Sequence, residues 1–578
     1  MKKTYLMGAA YFVAALFLAF TAIFYFQPIR NAHPVLIGAV TFILFGLLLY
    51  IRPFLSSVKE WPRGKKVSLA IFLPLFSVLA TFSLLGDQQY LSDNSLLTVI
   101  AVYIGMFLTV AVIALGAIKG ILNIQVPQGE QKVSPLYVLL FSLPMLIASL
   151  LMFIAFYPGA MTPDSLSQWE QATNKSFSNW HPVMFTWLII LLRQIWDNPG
   201  VVVLFQVIML ALTMGYLGYL MKRFKVSSWF IWAALIVMAL IPVNAIVSIT
   251  IWKDILYSTS LLFFSLLLFL IVKTKGLEMK KVSFILLFLL GSFVLVFFRH
   301  NGFPVFVISI IAVLIMYRFT WRRLLPMALG IIIIHQVITG PVYTALDVTP
   351  SDPQEALSIP TQQIANIVVK GGEMTDEQRD YVDRLMPLEM WPELYNPTSV
   401  DPIKFSWENY NRDVIYDDFP GYFKQWAKLV AQNPGLAVEA FLDQTALVWQ
   451  MRLEEGFVSR YVTNIYHGNK FGLVNTVISE DLTVQMRAYL EVDNEAKEFL
   501  WRPAVYLFLT TLFIYTAYLR NNWRVWLILL PIALNTASVM ATMPAQDFRY
   551  LFSTSLFVYA AFLISLINFW PKGSLDNE

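Results

Sequence analysis

Residues 183–196 read Val183-Met-Phe-Thr-Trp-Leu-Ile-Ile-Leu-Leu-Arg193-Gln-Ile-Trp196, an apolar run of fourteen residues that includes an arginine. A helix that crosses a bilayer needs about 17–25 mostly apolar residues. This run is too short, and how it is read decides the topology, because if it crossed, every later loop would change sides. Fourteen longer apolar runs surround it, at 5–26, 35–51, 67–86, 96–118, 135–156, 200–221, 228–250, 255–273, 282–299, 302–317, 324–340, 503–519, 525–541 and 551–570. With the N-terminus inside and 183–196 kept as an interfacial or re-entrant helix on the outer face, the short inside segments hold 22 Lys and Arg residues. The short outside segments hold six: Arg30, Lys175, Arg193, Lys253, Arg299 and Arg549. Cytoplasmic loops are enriched in Lys and Arg, so this orientation is expected and its inverse is not.

Composition agrees. Of 578 residues, 58% are hydrophobic and 13% charged, with a mean hydropathy of +0.63. Soluble domains run at about 45–50% and about 25%, so a soluble globular enzyme and a disordered chain are both excluded. Cysteine is absent, which excludes disulfides, thiolate metal sites, iron–sulfur clusters and a cysteine nucleophile. The first run follows only Met-Lys-Lys-Thr and has no small-residue cleavage site, so it is expected to stay as a helix.

The net charge of +4 hides a division. Residues 341–502 carry 25 acids and 13 bases, and the remainder 12 acids and 28 bases. The fold expected is an all-α polytopic protein of the plasma membrane, with about 14 transmembrane helices and both termini cytoplasmic. Residues 1–134 form an N-terminal extension of four helices, and 135–340 a transmembrane core with an outer loop at 157–199. Residues 341–502, too long for a connecting loop, form an extracytoplasmic, mostly helical domain, and 503–578 the C-terminal helices. Turn clusters at Pro350–Pro353, Gly371–Gly372 and Asn396–Pro402 divide that domain, and a helix near 434–452 should lie on the membrane surface. There is no Walker loop or dinucleotide fingerprint, and no nucleic-acid partner is expected.

Outside 341–502 the acids lie at the two faces: Glu60, Glu130, Glu278, Asp576 and Glu578 inside, and Asp87, Asp93, Asp164, Glu170, Asp197, Asp254 and Asp547 outside. Only His335 falls in mid-span. Ion-coupled transporters keep ionisable residues near the midplane, so chemistry is expected at the outer face. Four clusters gather there. They are Tyr157-Pro-Gly-Ala-Met-Thr-Pro-Asp164-Ser-Leu-Ser-Gln-Trp-Glu170 with Asn179-Trp-His181-Pro182, then Trp252-Lys253-Asp254, Arg299-His300-Asn301-Gly302, and Gln546-Asp547-Phe-Arg549-Tyr550. A carboxylate can take a proton from a hydroxyl, and Lys and Arg can hold a phosphate. Plainer readings stand beside these. Asp164 could open a helix, the bases could be interfacial anchors, and Gly302 could supply a turn at positive φ. Asp547 and Arg549 could form a surface ion pair worth ~0–1 kcal/mol.

The order of these features carries a resemblance. Asp164 in the first large outer loop is followed by His181-Pro182 opening a short apolar helix, and then by a span ending in Lys222-Arg223. With Trp-Lys-Asp, Arg-His-Asn-Gly and Asp-Phe-Arg-Tyr, this resembles a Gram-positive bacterial branch of the GT-C superfamily, over roughly residues 135–570. These are multi-pass, polyprenyl-phosphate-sugar-dependent glycosyltransferases. The resemblance implies a GT-C-like core and inverting transfer of a sugar at the outer face, from a polyprenyl-phosphate (undecaprenyl-phosphate) donor to a cell-envelope acceptor: a glycopolymer, a lipid-linked glycan or a protein. It implies Asp164 as the catalytic base, and His181, Lys253, Asp254, Arg299, His300, Arg549 and Glu170 as substrate-binding residues. Many members have two adjacent acids in this loop, whereas here Ser165 follows Asp164. Glu170 is the alternative second acid, and a divalent Mg²⁺ or Mn²⁺ would draw on Asp164, Glu170 and the acidic domain. A cytoplasmic polyprenyl-phosphate glycosyltransferase and a flippase would supply the donor. The alternative function is a transporter or flippase of lipid-linked sugars, which would need a polar path through the bilayer.

Overall fold

A computed structural model describes residues 2–27, 31–84, 89–452, 461–491 and 498–570. Arg30, Asp87, Asp576 and Glu578 lie outside the described residues, as does the C-terminal segment. In lipid a backbone must satisfy its own N–H and C=O groups, which an α-helix does. Each of the fourteen apolar runs is helical over most of its described length, and no strand forms among the described residues beyond isolated bridges. Ten helices are long and apolar enough to cross a membrane, or eleven if one bent pair counts as a single span. Val282–Phe297 and Gly302–Met316 are shorter apolar helices. This is the architecture of a multi-pass helical membrane protein.

The bent pair corrects the expectation of one helix at 228–250. Ser228–Leu240 and Pro242–Ser248 meet at 66°. Pro242 has no N–H to give the preceding turn and its ring crowds that turn, so the helix breaks there. The bend carries residues 249–252 beside the loop at 159–161.

Helix Lys253–Lys273 is apolar on every side after its first turn, and it is buried on every side. Helices Pro199–Arg223, Val282–Phe297, Trp526–Thr542 and Phe552–Ser565 surround it. Helices Leu136–Ala155 and Pro199–Arg223 pack closely because glycines face the contact. A Cβ at Gly215 would sit 2.0 Å from the Val138 carbonyl oxygen, and one at Gly218 2.7 Å from Phe141. Away from the loops, Arg223 donates to Glu130 at 2.7 Å and also to Glu278, which accepts from Lys281 at 2.7 Å. The N-terminal helices have their own apolar cluster, closed by Leu512, Tyr515 and Leu519 of Pro503–Arg520. The Phe72 and Tyr515 rings stack there at 3.6 Å.

The 341–502 segment is mostly helical, with a separate core around Leu357, Ile364, Tyr381, Trp391 and Leu429. The helix expected over 434–452 is instead two, Pro434–Gln444 and Ala446–Trp449. The second turns into the bundle, where Leu447 and Val448 pack against Val539, Met543 and Leu551, while Val438 and Leu442 of the first stay exposed. Residues 461–478 are not helical and are sewn to the loop before Asp164. Asn464 accepts from Met161 N at 3.3 Å, Tyr466 N donates to Met161 O at 2.9 Å, and Thr476 N donates to Tyr157 O at 2.9 Å.

The glycine contact can be tested. Gly215→Val would drive a branched side chain into the Val138 carbonyl, a rigid neighbour, and overpacking of this kind costs typically ~1–3 kcal/mol. Thermal unfolding of the purified protein in detergent should show a lower midpoint for Gly215→Val and little change for Gly330→Val, where a Cβ meets nothing within 4 Å.

Candidate functional site

Three stretches of backbone that are distant in sequence meet under Asp164. Gly159 has φ of +111°, and a Cβ there would sit 2.5 Å from Val203 and 2.8 Å from the Ile249 carbonyl, so only glycine fits. This lets Ala160 N donate to Ile249 O at 3.1 Å and Ile251 N donate to Ala160 O at 2.9 Å. The chain then turns into helix Pro163–Asn174, with Thr162 and Ser165 forming a capping box. The Ser165 hydroxyl also donates to Ile251 O at 2.6 Å, and Trp252 Nε1 donates to Thr162 Oγ1 at 2.9 Å. Ser165, where a second acid would stand, is therefore buried and committed to the cap and to the neighbouring turn. Asp164 is free to project from the first helical turn.

The other clusters converge on it. Arg549 donates to Asp164 Oδ2 at 2.6 Å and pairs with Asp547 at 3.1 Å, its guanidinium 4.9 Å from the Trp252 ring centre. His181 Nε2 lies 3.7 Å from Asp164 Oδ1. Beside them Asp254, 0% exposed, lies between Lys253 at 3.5 Å and Arg299 at 3.2 Å. Arg299 also faces the rings of Tyr550 and Tyr257, at 4.9 and 5.7 Å. Three carboxylates thus face three cations. Arg549 and Asp547 are no surface pair: both side chains are at most 15% exposed. Gly302 is no positive-φ turn either. It opens helix Gly302–Met316, and glycine is needed because a Cβ would sit 1.8 Å from the Leu295 carbonyl oxygen.

Burial would raise the Asp164 pKa, but Arg549 and His181 beside it hold the carboxyl well below the usual range. Burial and the Lys253 charge push His181 down, so it is neutral at pH 7. Burial raises Asp547. Both Asp254 oxygens and His181 Nε2 lack a hydrogen-bond partner among the described residues. Buried polar atoms left in this way are costly and are suited to receiving a ligand.

Two candidates lie at the edge. His300 Nε2 is 3.3 Å from Asn179 Oδ1, beside Trp180 and His181. Glu170 points away and pairs with exposed Lys470. With Glu170 turned out, Ser165 capped and Asp164 held by Arg549, the residues do not fit a divalent cation shared by Asp164 and Glu170. Among the described residues no three His, Asp or Glu side chains converge in a metal-binding group. Sequence reasoning missed Asn535, a lone amide in an apolar run. It accepts from Tyr257 Oη and Asn301 Nδ2, both at 3.0 Å, and ties three clusters together.

An apolar groove of about 680 Å³ adjoins the cluster. Its walls include Met184, Leu188, Leu256 and Phe298, which neighbour His181, Asp254 and Arg299 in sequence. It continues along Met209, Phe263 and Leu290 to Val138, Tyr216 and Leu287. Those last three residues also line a charged pocket of about 670 Å³ with Arg223, Glu278 and Lys281. Leu191 and Leu290 are 64% and 61% exposed, so the groove opens sideways.

The depressed His181 pKa has a consequence with a definite sign. The folded protein resists protonating this side chain, whereas the unfolded chain protonates it near 6.5. The stability so contributed is present above pH 6.5 and is lost as pH falls below it. Asp164, depressed from 3.8, adds stability that fades only below about pH 4. Thermal unfolding followed from pH 8 to 3 should fall on the acid side, and His181→Gln should flatten the fall that begins below pH 6.5 while moving the limb below pH 4 upward, because His181 helps to hold the Asp164 carboxyl down.

No curated protein and no solved structure matches the chain. One family matches residues 172–574, which begins just beyond Asp164 and Glu170 and takes in His181, Lys253, Asp254, Arg299, His300 and Arg549. The chain belongs to that family, the family of unknown function DUF6020.

Proposed function

We propose that the chain is an integral-membrane glycosyltransferase of GT-C type, with about fourteen spans in the plasma membrane. It moves a monosaccharide from a polyprenyl-phosphate donor to a cell-envelope acceptor at the outer face. One observation carries the reading: a partly buried carboxylate, Asp164, meets Arg549, with Lys253 and Arg299 close by, and Phe298 and Leu256, next to Arg299 and Asp254 in sequence, line a lateral apolar groove. The groove suits an isoprenoid chain, the cations a phosphate, and the carboxylate a hydroxyl.

In the step proposed, the acceptor oxygen attacks the anomeric carbon and its proton passes to Asp164. The bond between that carbon and the phosphate oxygen breaks, and polyprenyl phosphate leaves. The leaving phosphate gains charge, so cations directed at it favour the transition state over the bound donor. Asp164 paired with Arg549 at 2.6 Å is a poor base. A donor phosphate that draws Arg549 onto itself removes that pairing and restores the proton affinity of the carboxylate. Lys253 and Arg299, held by Asp254, keep the phosphate in register. Neutral His181 accepts or donates a hydrogen bond without adding charge. A second reading, passage of a lipid-linked sugar across the bilayer, draws on the shared residues of the groove and the charged pocket at its far end.

Purified protein in lipid, offered labelled polyprenyl-phosphate sugars and envelope acceptor fractions, tests this. Transfer should drop by about 10²-fold or more in Asp164→Asn, the scale of a lost general base. It should also drop strongly in Arg549→Lys, which keeps the charge and loses the fork. Leu290→Trp, which narrows the groove, should raise the donor KM several-fold with kcat less affected. Undiminished transfer in Asp164→Asn would remove Asp164 as the base. Labelled lipid that crosses the bilayer with no transfer would favour the second reading.

A further inference from the structure

We infer that residues 398–405 of the 341–502 domain form an acceptor subsite, in which Asp401 takes hydrogen bonds from the hydroxyls of a saccharide while Trp180 and Phe405 hold a sugar face. The inference rests on the glycosyl-transfer reading and names which part of the protein selects the acceptor.

The segment joins both arms of the site. On one side Val400 N donates to Pro544 O at 2.8 Å and Gln546 N donates to Thr398 O at 3.2 Å, just before Asp547 and Arg549. On the other, the Phe405 ring meets the Trp180 ring edge-to-face at 6.2 Å, and Trp180 stacks on His181 at 5.0 Å. Arg549 and His181 both contact Asp164. Asp401 lies between Val400 and Phe405, so the fold sets this carboxylate across the approach to Asp164.

One of its oxygens takes no hydrogen bond from the fold, and the side chain is 39% exposed, so it can be reached from outside. Asp401 Oδ1 is buried with no hydrogen-bond partner. Its nearest cation, Lys404, is 3.5 Å away and gives its hydrogen bond to Glu355 at 2.9 Å instead. Burial raises the pKa of Asp401 against the nearby charge of Lys404, and the charges of Glu355 and Asp164 add to the rise. Trp180 and Phe405 are 38% and 42% exposed. His181 stacks on one face of Trp180 and Lys404 lies over the Phe405 ring, and the exposed remainder of the two rings beside a carboxylate suits a sugar, whose C–H face packs on rings while its hydroxyls bind the charge.

The test uses the full chain in lipid nanodiscs, with chitotriose, mannotriose and maltotriose as probes in ligand-observed saturation-transfer NMR. At least one should bind, and Asp401→Asn and Phe405→Ala should each weaken binding at least fivefold while retention of a polyprenyl-phosphate probe is unchanged. If no probe binds, or if both variants bind as the native chain does, the subsite is overturned. Transfer by the native chain with an acceptor KM unmoved in Asp401→Asn would also overturn it, and would leave the glycosyltransferase reading intact. Saccharide binding that depends on Asp401 in a chain that transfers no sugar would support the subsite and fail the transfer reading.

Discussion

The ion pair between Asp164 and Arg549 joins residues 385 positions apart and closes the molecule around one point. Taking two charges out of water costs several kcal/mol each unless the pairing and the remaining hydrogen bonds are good. Here the pair is not alone. Asp547 neutralises Arg549 from behind, Trp252 offers it a ring face, and the Asp254–Lys253–Arg299 group lies alongside. These residues come from four separate loops or helix ends, at 164, 252–254, 299 and 547–549. The bend at Pro242, the glycine at 159 and the glycine at 302 are all needed to bring those ends together. The site is therefore a property of the whole bundle, and changes that separate two helices should disturb it without touching it.

Three carboxylates facing three cations make the resting cluster nearly neutral. An incoming phosphate would add negative charge to a buried place, which an apolar surrounding resists. Two features lower that cost. The raised pKa of Asp547 means that it can give up its charge, and a phosphate can replace Asp164 as the partner of Arg549. In either case binding would change the electrostatics before any bond breaks, so under the proposed function recognition of the donor phosphate and activation of the base would be one event. An arginine suits this exchange, since its planar fork can leave one carboxylate and meet another oxyanion with the same geometry.

Much of this was legible in the sequence, and the limits have physical reasons. The apolar runs gave the helices because length and hydropathy govern what a bilayer admits. The short run with Arg193 was read as too short to span, and it forms the eleven-residue helix Val183–Arg193. The four polar clusters were visible because charged residues are rare in such a chain, and six of the eight candidates, Asp164, His181, Lys253, Asp254, Arg299 and Arg549, do meet. What the sequence hid were pairings. Nothing local says that Arg549 pairs with Asp164 rather than only with Asp547 two residues away, or that Glu170, six residues after Asp164, faces Lys470. Asn535 was hidden because one amide in an apolar run gives no period. Asp401 was hidden because it is one of 25 acids in a segment whose acidity reads as solvation. The break at 445 was missed because no proline or glycine marks it. Thr445 returns its hydroxyl to Phe441 O at 2.6 Å, and Leu447 and Val448 turn into the bundle.

The arrangement also says why the acidic domain is built into the chain between two membrane segments instead of being appended. Residues 461–478 bind the backbone at 157–161, and residues 398–405 bind the backbone at 544–546. The first contact supports the loop that presents Asp164, and the second supports the turn that presents Arg549. The domain thus grips both partners of the central ion pair from outside the bundle. A load on the domain, such as a bound saccharide between Trp180 and Phe405, would be felt at the pair through main-chain hydrogen bonds and not through flexible side chains. Under the proposed function that coupling would let acceptor occupancy, and not donor binding alone, set how tightly Arg549 holds Asp164.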